Sequence, residues 1–176
     1  MATDRPPDRR LTDRPVITPA QASDLAAILA LLASHGLPDA GLADHLPTAL
    51  VARVGAVSPT AVSPTAVSST AVSPTATVVG CAAIEPYDGA GLLRSVAVAE
   101  PQRGTGLGMR LTEAAIRLAE ARGIRALYLL TETAAGFFPR FGFRPIPRDE
   151  VAPAVRQSIE FTRACPASAM AMVKEL

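Results

Sequence analysis

The stretch SVAVAEPQRGTGLG, residues 95–108, places three glycines in five positions, after an apolar run and before an amphipathic pattern. Glycine loses more backbone freedom on folding than any other residue, so this density requires a physical reason. Without side chains the backbone can closely approach a ligand, and the first amides of a helix are available to bind an anion. The stretch therefore predicts a strand, an anion-binding loop and a helix.

Three motif classes compete for this loop. The dinucleotide fingerprint Gly-x-Gly-x-x-Gly needs another spacing, because Gly104, Gly106 and Gly108 form Gly-x-Gly-x-Gly. The triphosphate-binding loop needs Gly-Lys-Ser/Thr, and the only lysine of the chain is Lys174. The segment resembles the acetyl-CoA signature of the GNAT superfamily of N-acetyltransferases, Gln/Arg-x-x-Gly-x-Gly/Ala, which Arg103, Gly106 and Gly108 satisfy.

Two further resemblances extend this one. AAGFFPRFGFRP (residues 134–145) resembles the late helix and the closing Gly-Phe turn of the same superfamily, so the resemblance covers residues 80–145. LLRSVAV (92–98), the segment 127–153 and CPASA (165–169) resemble the arsenic-resistance N-acetyltransferases, a branch of the superfamily. That narrower resemblance runs from residue 15 to residue 176, except for one repetitive segment.

The hydrophobic pattern predicts one α/β domain, and the resemblance implies a GNAT-type mixed central sheet flanked by helices. A chain of 176 residues suits one domain better than two. Alternating or continuous apolar runs indicate strands, and helical spacing indicates helices. The expected strands are 15–18, 48–55, 77–87, 90–99, 124–131 and 168–176; the expected helices are 22–37 and 107–123, with shorter helical segments in 39–46, 132–143 and 151–161.

Two segments are expected to lie outside the packed domain, which spans residues 15–176. Residues 1–14 are charged and proline-rich, which is typical of a disordered tail. Residues 56–75 contain four AVSPT-like units, a period too short for a solenoid. We interpret them as a flexible loop insertion in a hairpin, since closure entropy grows slowly with loop length.

Composition excludes several functional classes. Seventeen basic and sixteen acidic residues are interleaved, for a net charge of +1, which argues against a nucleic-acid partner. No apolar run is long enough for a membrane span, and no Cys or His spacing indicates a metal site. With only two cysteines, Cys81 and Cys165, the default expectation is a cytoplasmic chain with reduced thiols.

The superfamily resemblance implies that acetyl-CoA is the co-substrate. The backbone of Val96, Ala97 and Val98 would hold the pantetheine arm and polarise the thioester carbonyl. The loop amides would bind the pyrophosphate, aided by the helix dipole. The residues implied in cofactor binding are Val96, Ala97, Val98, Arg103, Gly104, Thr105, Gly106, Leu107, Gly108, Met109 and Phe138.

The acceptor is expected to be the primary amine of a small, amino-acid-like molecule, which must lose a proton before it attacks the thioester. Glu85 is the first candidate base and Glu132 the second, each at a predicted strand end. Arg94 and Ser95 are candidates for binding a substrate carboxylate, although Arg94 could equally form a surface ion pair.

One departure from the superfamily keeps other functions open. Many members carry a tyrosine that protonates the leaving thiolate, where this chain has Phe138. A non-catalytic module that binds acetyl-CoA, or arsenite through Cys81 and Cys165, is therefore an alternative, as is a protein N-acetyltransferase. A role in arsenic resistance follows from the branch resemblance alone, and a homodimer is possible.

Overall fold

The computed structural model describes residues 14–55 and 76–176. Seven strands form one mixed sheet in the order β1-β2-β3-β4-β5-β7-β6, and only β4 and β5 pair in parallel. The expected α/β fold with a mixed central sheet is confirmed. The repeat of residues 56–75, and the expected tail up to residue 13, lie outside the described residues. The strands are β1 Val16–Pro19, β2 Ala49–Val54, β3 Thr77–Pro86, β4 Ala90–Val98, β5 Ala126–Thr131, β6 Arg144–Ile146 and β7 Met170–Glu175.

Two helices cover opposite faces of the sheet. Helix α1, Leu25–Ser34, packs Ile28 and Leu32 against alternate residues of β2 and β3 such as Val51 and Cys81. Helix α2, Leu107–Ala121, packs Leu111 and Ala115 against the neighbouring residues of the same strands, Ala52 and Ala82 among them. Because successive strand residues point to opposite faces, this alternation fixes which face each helix covers.

The segments between β5 and β7 are less helical than expected. Residues 132–143 contain only a 3₁₀ turn, Phe138–Phe141, whose Pro139 supplies no amide for an α-helix. Residues 151–161 contain the short helix α3, Pro153–Arg156, and the start of a π-helical turn, Glu160–Ala164. Strand β6 was not expected, because three residues that include Pro145 give no detectable periodicity.

The helices of the described residues are all too short or too polar to cross a lipid bilayer.

Candidate active site

The parallel strands β4 and β5 pair over only three residues and then separate. Their register runs from Ala90↔Ala126 to Leu92↔Tyr128, while β4 continues to Val98 and β5 to Thr131. The separation opens a cleft of about 490 Å³, lined on one side by residues 93–98 and on the other by residues 129–134. The predicted Val96, Ala97 and Val98 therefore line the cleft.

A bulge in β4 shapes the wall of this cleft. Cys81 pairs with Ala97 whereas Ala83 pairs with Arg94, so β4 has one residue more than β3 between these pairs. Ser95 adopts a positive φ of 56°, the only non-glycine residue to do so in the described part of the chain. Bulges re-aim the strand backbone and are common beside functional sites. Here the bulge lies in the part of β4 that lines the cleft, and β4 pairs with β3 on both sides of it.

The glycine loop leads from β4 into α2 through two left-handed residues. Gly104 has a φ of 76° and Gly106 a φ of 83°, a conformation that side chains disfavour. A Cβ atom on Gly108 would make only ordinary contacts, 3.7 Å from Phe137 and Val98. Backbone conformation therefore accounts for glycine at positions 104 and 106. At position 108 neither the backbone nor a protein neighbour requires glycine, which leaves the close approach of a ligand as the explanation.

The backbone amides of the glycine loop and of the first residues of α2 are not hydrogen-bonded within the described part of the protein. Within the described residues, the backbone amides of residues 104–109 donate to no protein acceptor, and the first such bond is from Arg110 to the Gly106 carbonyl. Unpaired amides at the start of a fifteen-residue helix carry partial positive charge. This arrangement can bind an anion at the mouth of the cleft.

His35 and Arg103 meet at this mouth. His35 Nε2 lies 2.8 Å from the carbonyl oxygen of Val98, and the guanidinium of Arg103 approaches the imidazole to 3.3 Å. Both residues line the cleft. The sequence singled out Arg103 but not His35, which reaches β4 from the end of α1.

Phe138 is buried and contacts two other aromatic rings edge-on, Phe137 at 5.1 Å and Phe143 at 5.8 Å between centroids. It lines the cleft near its β5 side. Its ring offers apolar surface to a ligand but no exchangeable proton.

Glu85 lies behind the cleft wall in a network of buried polar groups. Its Oε1 lies 2.9 Å from His45 Nε2 and accepts a hydrogen bond from the Tyr87 hydroxyl at 3.1 Å, while Oε2 accepts from Arg94 at 3.4 Å. Burial and the Glu85 carboxylate raise the pKa of Tyr87 to about 12. Glu85 itself is not among the residues that line the cleft. Glu132, by contrast, lines the cleft and is exposed, with Ser168 as hydrogen-bond donor at 3.3 Å.

Arg94 is buried between two carboxylates. It pairs with Glu85 at 3.4 Å and with Glu160 at 2.8 Å, and it donates to the carbonyl of Ala40 at 2.8 Å. Its Nε lies 3.4 Å from the Ser95 hydroxyl. The surface ion pair considered for Arg94 is thus a buried one, and the predicted binding of a substrate carboxylate by Arg94 and Ser95 would have to compete with these partners.

Sequence reasoning missed Glu160 and the pairing of His45 with Glu85. Glu160 reaches the cleft from a π-helical turn, Glu160–Ala164, whereas His45 reaches Glu85 from the 3₁₀ turn before β2. The contacts of Glu160 with Arg94 and of His45 with Glu85 join residues that are far apart in sequence, so no local spacing predicts them. The π-helical turn itself is a feature often found at functional sites, but it has no sequence signature.

The two cysteines are protonated thiols in separate environments. Burial raises the pKa of Cys81 to about 12, and its Sγ donates to the Ser95 carbonyl. Burial and the neighbouring Glu160 raise the pKa of Cys165 to about 12 as well. Cys165 lines the cleft, whereas Cys81 is a residue of β3 that packs in the core under α1.

Residues 70–145 match the family model of the acetyltransferase (GNAT) domain. This segment contains β3, β4, the glycine loop, α2 and β5. The match therefore falls on the elements that form the cleft.

Solved structures share the fold over most of this chain. N-acetylglutamate synthase from Neisseria gonorrhoeae, complexed with coenzyme A and L-arginine, is 20% identical with a TM-score of 0.69, over 93% of this chain and 34% of its own. A Mycobacterium tuberculosis protein in complex with CoA is 23% identical with a TM-score of 0.68, over 92% of this chain and 99% of its own. A GNAT-family acetyltransferase from Staphylococcus aureus is 16% identical with a TM-score of 0.65, over 92% and 99%. This chain thus spans about a third of the gonococcal synthase and nearly all of the other two.

Proposed function

We propose that this chain is a GNAT acetyltransferase, which the match of residues 70–145 supports, and that it moves the acetyl group of acetyl-CoA to the primary amine of a small, amino-acid-like molecule. The observation that carries the proposal is the cleft between β4 and β5, which continues into the glycine loop. A long ligand with an anionic end fits this shape, since its anion would meet the unpaired amides of residues 104–109.

The residues present suit the pantetheine arm and the pyrophosphate of acetyl-CoA. Beyond Leu92 the edge of β4 that faces the cleft has no strand partner in the described part of the chain, so its backbone can bond to the amides of a pantetheine arm. Phe138 supplies an apolar contact beside it. Gly108 leaves room for phosphate oxygens, and Arg103 adds a cation at the mouth. Two of the solved structures with this fold hold coenzyme A, which agrees with this assignment.

Acetyl transfer requires two things of the protein beyond binding. The negative charge that forms on the thioester oxygen needs a hydrogen-bond donor, and the bulged β4 backbone beside Val96 is the candidate. The acceptor ammonium must lose a proton, and Glu85 and Glu132 remain candidates for that role. Glu132 faces the cleft directly, whereas Glu85 would act through an intervening group, since Arg94 lies between it and the cleft.

The thiols bear on the arsenite-sensing alternative. An arsenite site would need several thiolates together, whereas Cys81 packs in the core under α1 and Cys165 lines the cleft. Their separate positions favour the enzyme over an arsenite sensor. A role in arsenic resistance would then come from acetylation of a toxic amine in the cytoplasm rather than from binding of the metalloid.

The first test is a thermal-shift titration with acetyl-CoA, CoA and NADH. A ligand at a hundredfold excess over its Kd should stabilise the protein by about 2.7 kcal/mol. We expect a shift with acetyl-CoA and CoA and none with NADH. Absence of a shift with both CoA species would overturn the proposal. Thiol release with a panel of amines then separates an enzyme from a binding module, and peptide substrates in the same assay test for a protein N-acetyltransferase.

A further inference from the structure

The carboxylates that line the cleft, among the described residues, are Glu132 and Glu160. Glu132 is exposed at the end of β5, whereas Glu160 is only 6% exposed. A carboxylate that is to take a proton from an amine must lie within hydrogen-bond reach of it, directly or through one water. Glu160 is thus the buried carboxylate with access to the space where an acceptor would lie.

The fold holds the Glu160 side chain by both of its oxygens. Oε1 lies 2.8 Å from the Arg94 guanidinium, and Oε2 accepts a hydrogen bond from the Cys165 thiol at 3.1 Å. The wide π-helical turn brings residues 160 and 165 together, since the Cys165 amide donates to the Glu160 carbonyl at 2.9 Å. Such turns occur frequently at functional sites. The carboxylate is therefore oriented before any ligand binds.

The charge around Glu160 favours a cation in the cleft. Arg94 is shared by Glu85 and Glu160, so two buried carboxylates face one guanidinium. His45 contacts the far side of Glu85, and Arg148 lies towards the outside, where its guanidinium donates to the carbonyls of Phe161 and Ala169. Glu85, Arg94 and Glu160 together carry two carboxylates and one guanidinium, so an ammonium group in the cleft would meet more acidic than basic side chains among these three.

We propose that Glu160 receives the ammonium group of the acceptor and takes up its proton before acetyl transfer. This inference rests on the proposed function. The acceptor nitrogen gives one proton to the Glu160 carboxylate, which passes it to solvent. The nitrogen then bonds to the acetyl carbon while the carbon–sulfur bond breaks and its electron pair goes to sulfur. The second proton leaves the nitrogen and reaches the thiolate through solvent.

Cys165 acts in this scheme as a positioning residue for Glu160 rather than as an acid. A thiol whose pKa is raised to about 12 holds its proton more tightly than an ordinary thiol near 8.5 does. Transfer of that proton to a CoA thiolate would therefore run uphill. The same raised pKa keeps the thiol protonated, so that it can donate to the Glu160 carboxylate at neutral pH.

The test compares Glu160→Gln with the unmodified protein by thiol release, with saturating acetyl-CoA and a panel of the common amino acids and putrescine. We expect kcat/KM for the amine to fall about a hundredfold or more, while the thermal shift with acetyl-CoA is retained. Glu160→Asp keeps a carboxylate on a shorter side chain, so it should recover part of the kcat/KM that Glu160→Gln loses.

Asp24→Asn is the matched structural control. Asp24 is a buried carboxylate paired with Arg53 and does not line the cleft, so its loss should lower stability but leave kcat/KM for the amine within about threefold of the original. A Glu160→Gln enzyme with kcat/KM within about threefold of the original overturns the proposal. So does an unmodified protein that binds acetyl-CoA but acetylates no amine of the panel. A protein that shows no acetyl-CoA shift at all refutes the proposed function instead.

Discussion

The imidazole of His45 lies 2.9 Å from the carboxylate of Glu85, which ties the turn before β2 to the end of β3. The Tyr87 hydroxyl donates to the same carboxylate oxygen. His45 and Tyr87 thus satisfy one oxygen of a buried carboxylate while Arg94 faces the other. This network fixes Arg94, and through Arg94 it fixes the wall of the cleft.

His45→Ala is therefore expected to lower the free energy of unfolding by about 1–2 kcal/mol, because it removes one hydrogen bond from a buried carboxylate. Urea denaturation followed by circular dichroism measures the change. Tyr87→Phe should cost a similar amount. Since both bond the same oxygen, the double variant should depart from the sum of the two. Strict additivity would show that the two contacts do not share Glu85 in solution.

Gly106→Ala and Gly108→Ala separate the two reasons for glycine in the loop. Gly106 has a φ of 83°, so alanine there should cost about 1–2 kcal/mol of stability. Gly108 has ordinary backbone and space for a Cβ, so alanine there should leave stability equal or higher. If phosphate oxygens approach the Gly108 backbone, its variant should still lose acetyl-CoA affinity at least tenfold. Thermal unfolding with and without acetyl-CoA measures both effects, and unchanged affinity in Gly108→Ala would contradict that approach.

The cysteines should make stability fall at alkaline pH. Folding raises the pKa of the Cys81 thiol from 9.0 to about 12. At neutral pH the thiol is protonated in both the folded and the unfolded state, so the free energy of unfolding is at its full value there. As pH rises above 9, the unfolded chain loses the proton first, and stability declines until the folded thiol also ionises. Cys81→Ser should reduce this decline in urea titrations between about pH 8 and pH 11. In the native protein Cys81 should resist iodoacetamide near pH 7.5 until urea unfolds it.

Phe138→Ala should lower the free energy of unfolding by about 3–5 kcal/mol, because it removes a buried ring that contacts Phe137 and Phe143. Acetyl-CoA affinity should fall in the same variant, since the ring lines the cleft. Phe141→Ala is the comparison, because Phe141 packs on Phe137 but does not line the cleft. An equal loss of affinity in both variants would mean that Phe138 acts on the ligand only through packing.

The parts of the site that sequence could predict are those with a local physical cause. Gly104 and Gly106 predict the loop, because left-handed backbone favours glycine. The apolar spacing of Leu107 and Leu111 predicts the helix. The bulge at Ser95 had no such signal, since serine gives no warning of a positive φ. Glu160 could not be found either, because it depends on how the segment after α3 packs against β4.

Mechanically, the sheet consists of two leaves, β1 to β4 and β5 to β7, whose hydrogen-bonded seam is three residue pairs long. A ligand that lies along β4 in the gap would extend that seam towards the glycine loop. Amide hydrogen exchange in residues 93–98 should then slow when acetyl-CoA is bound. The bound ligand should also make it harder to separate the leaf β1 to β4 from the leaf β5 to β7.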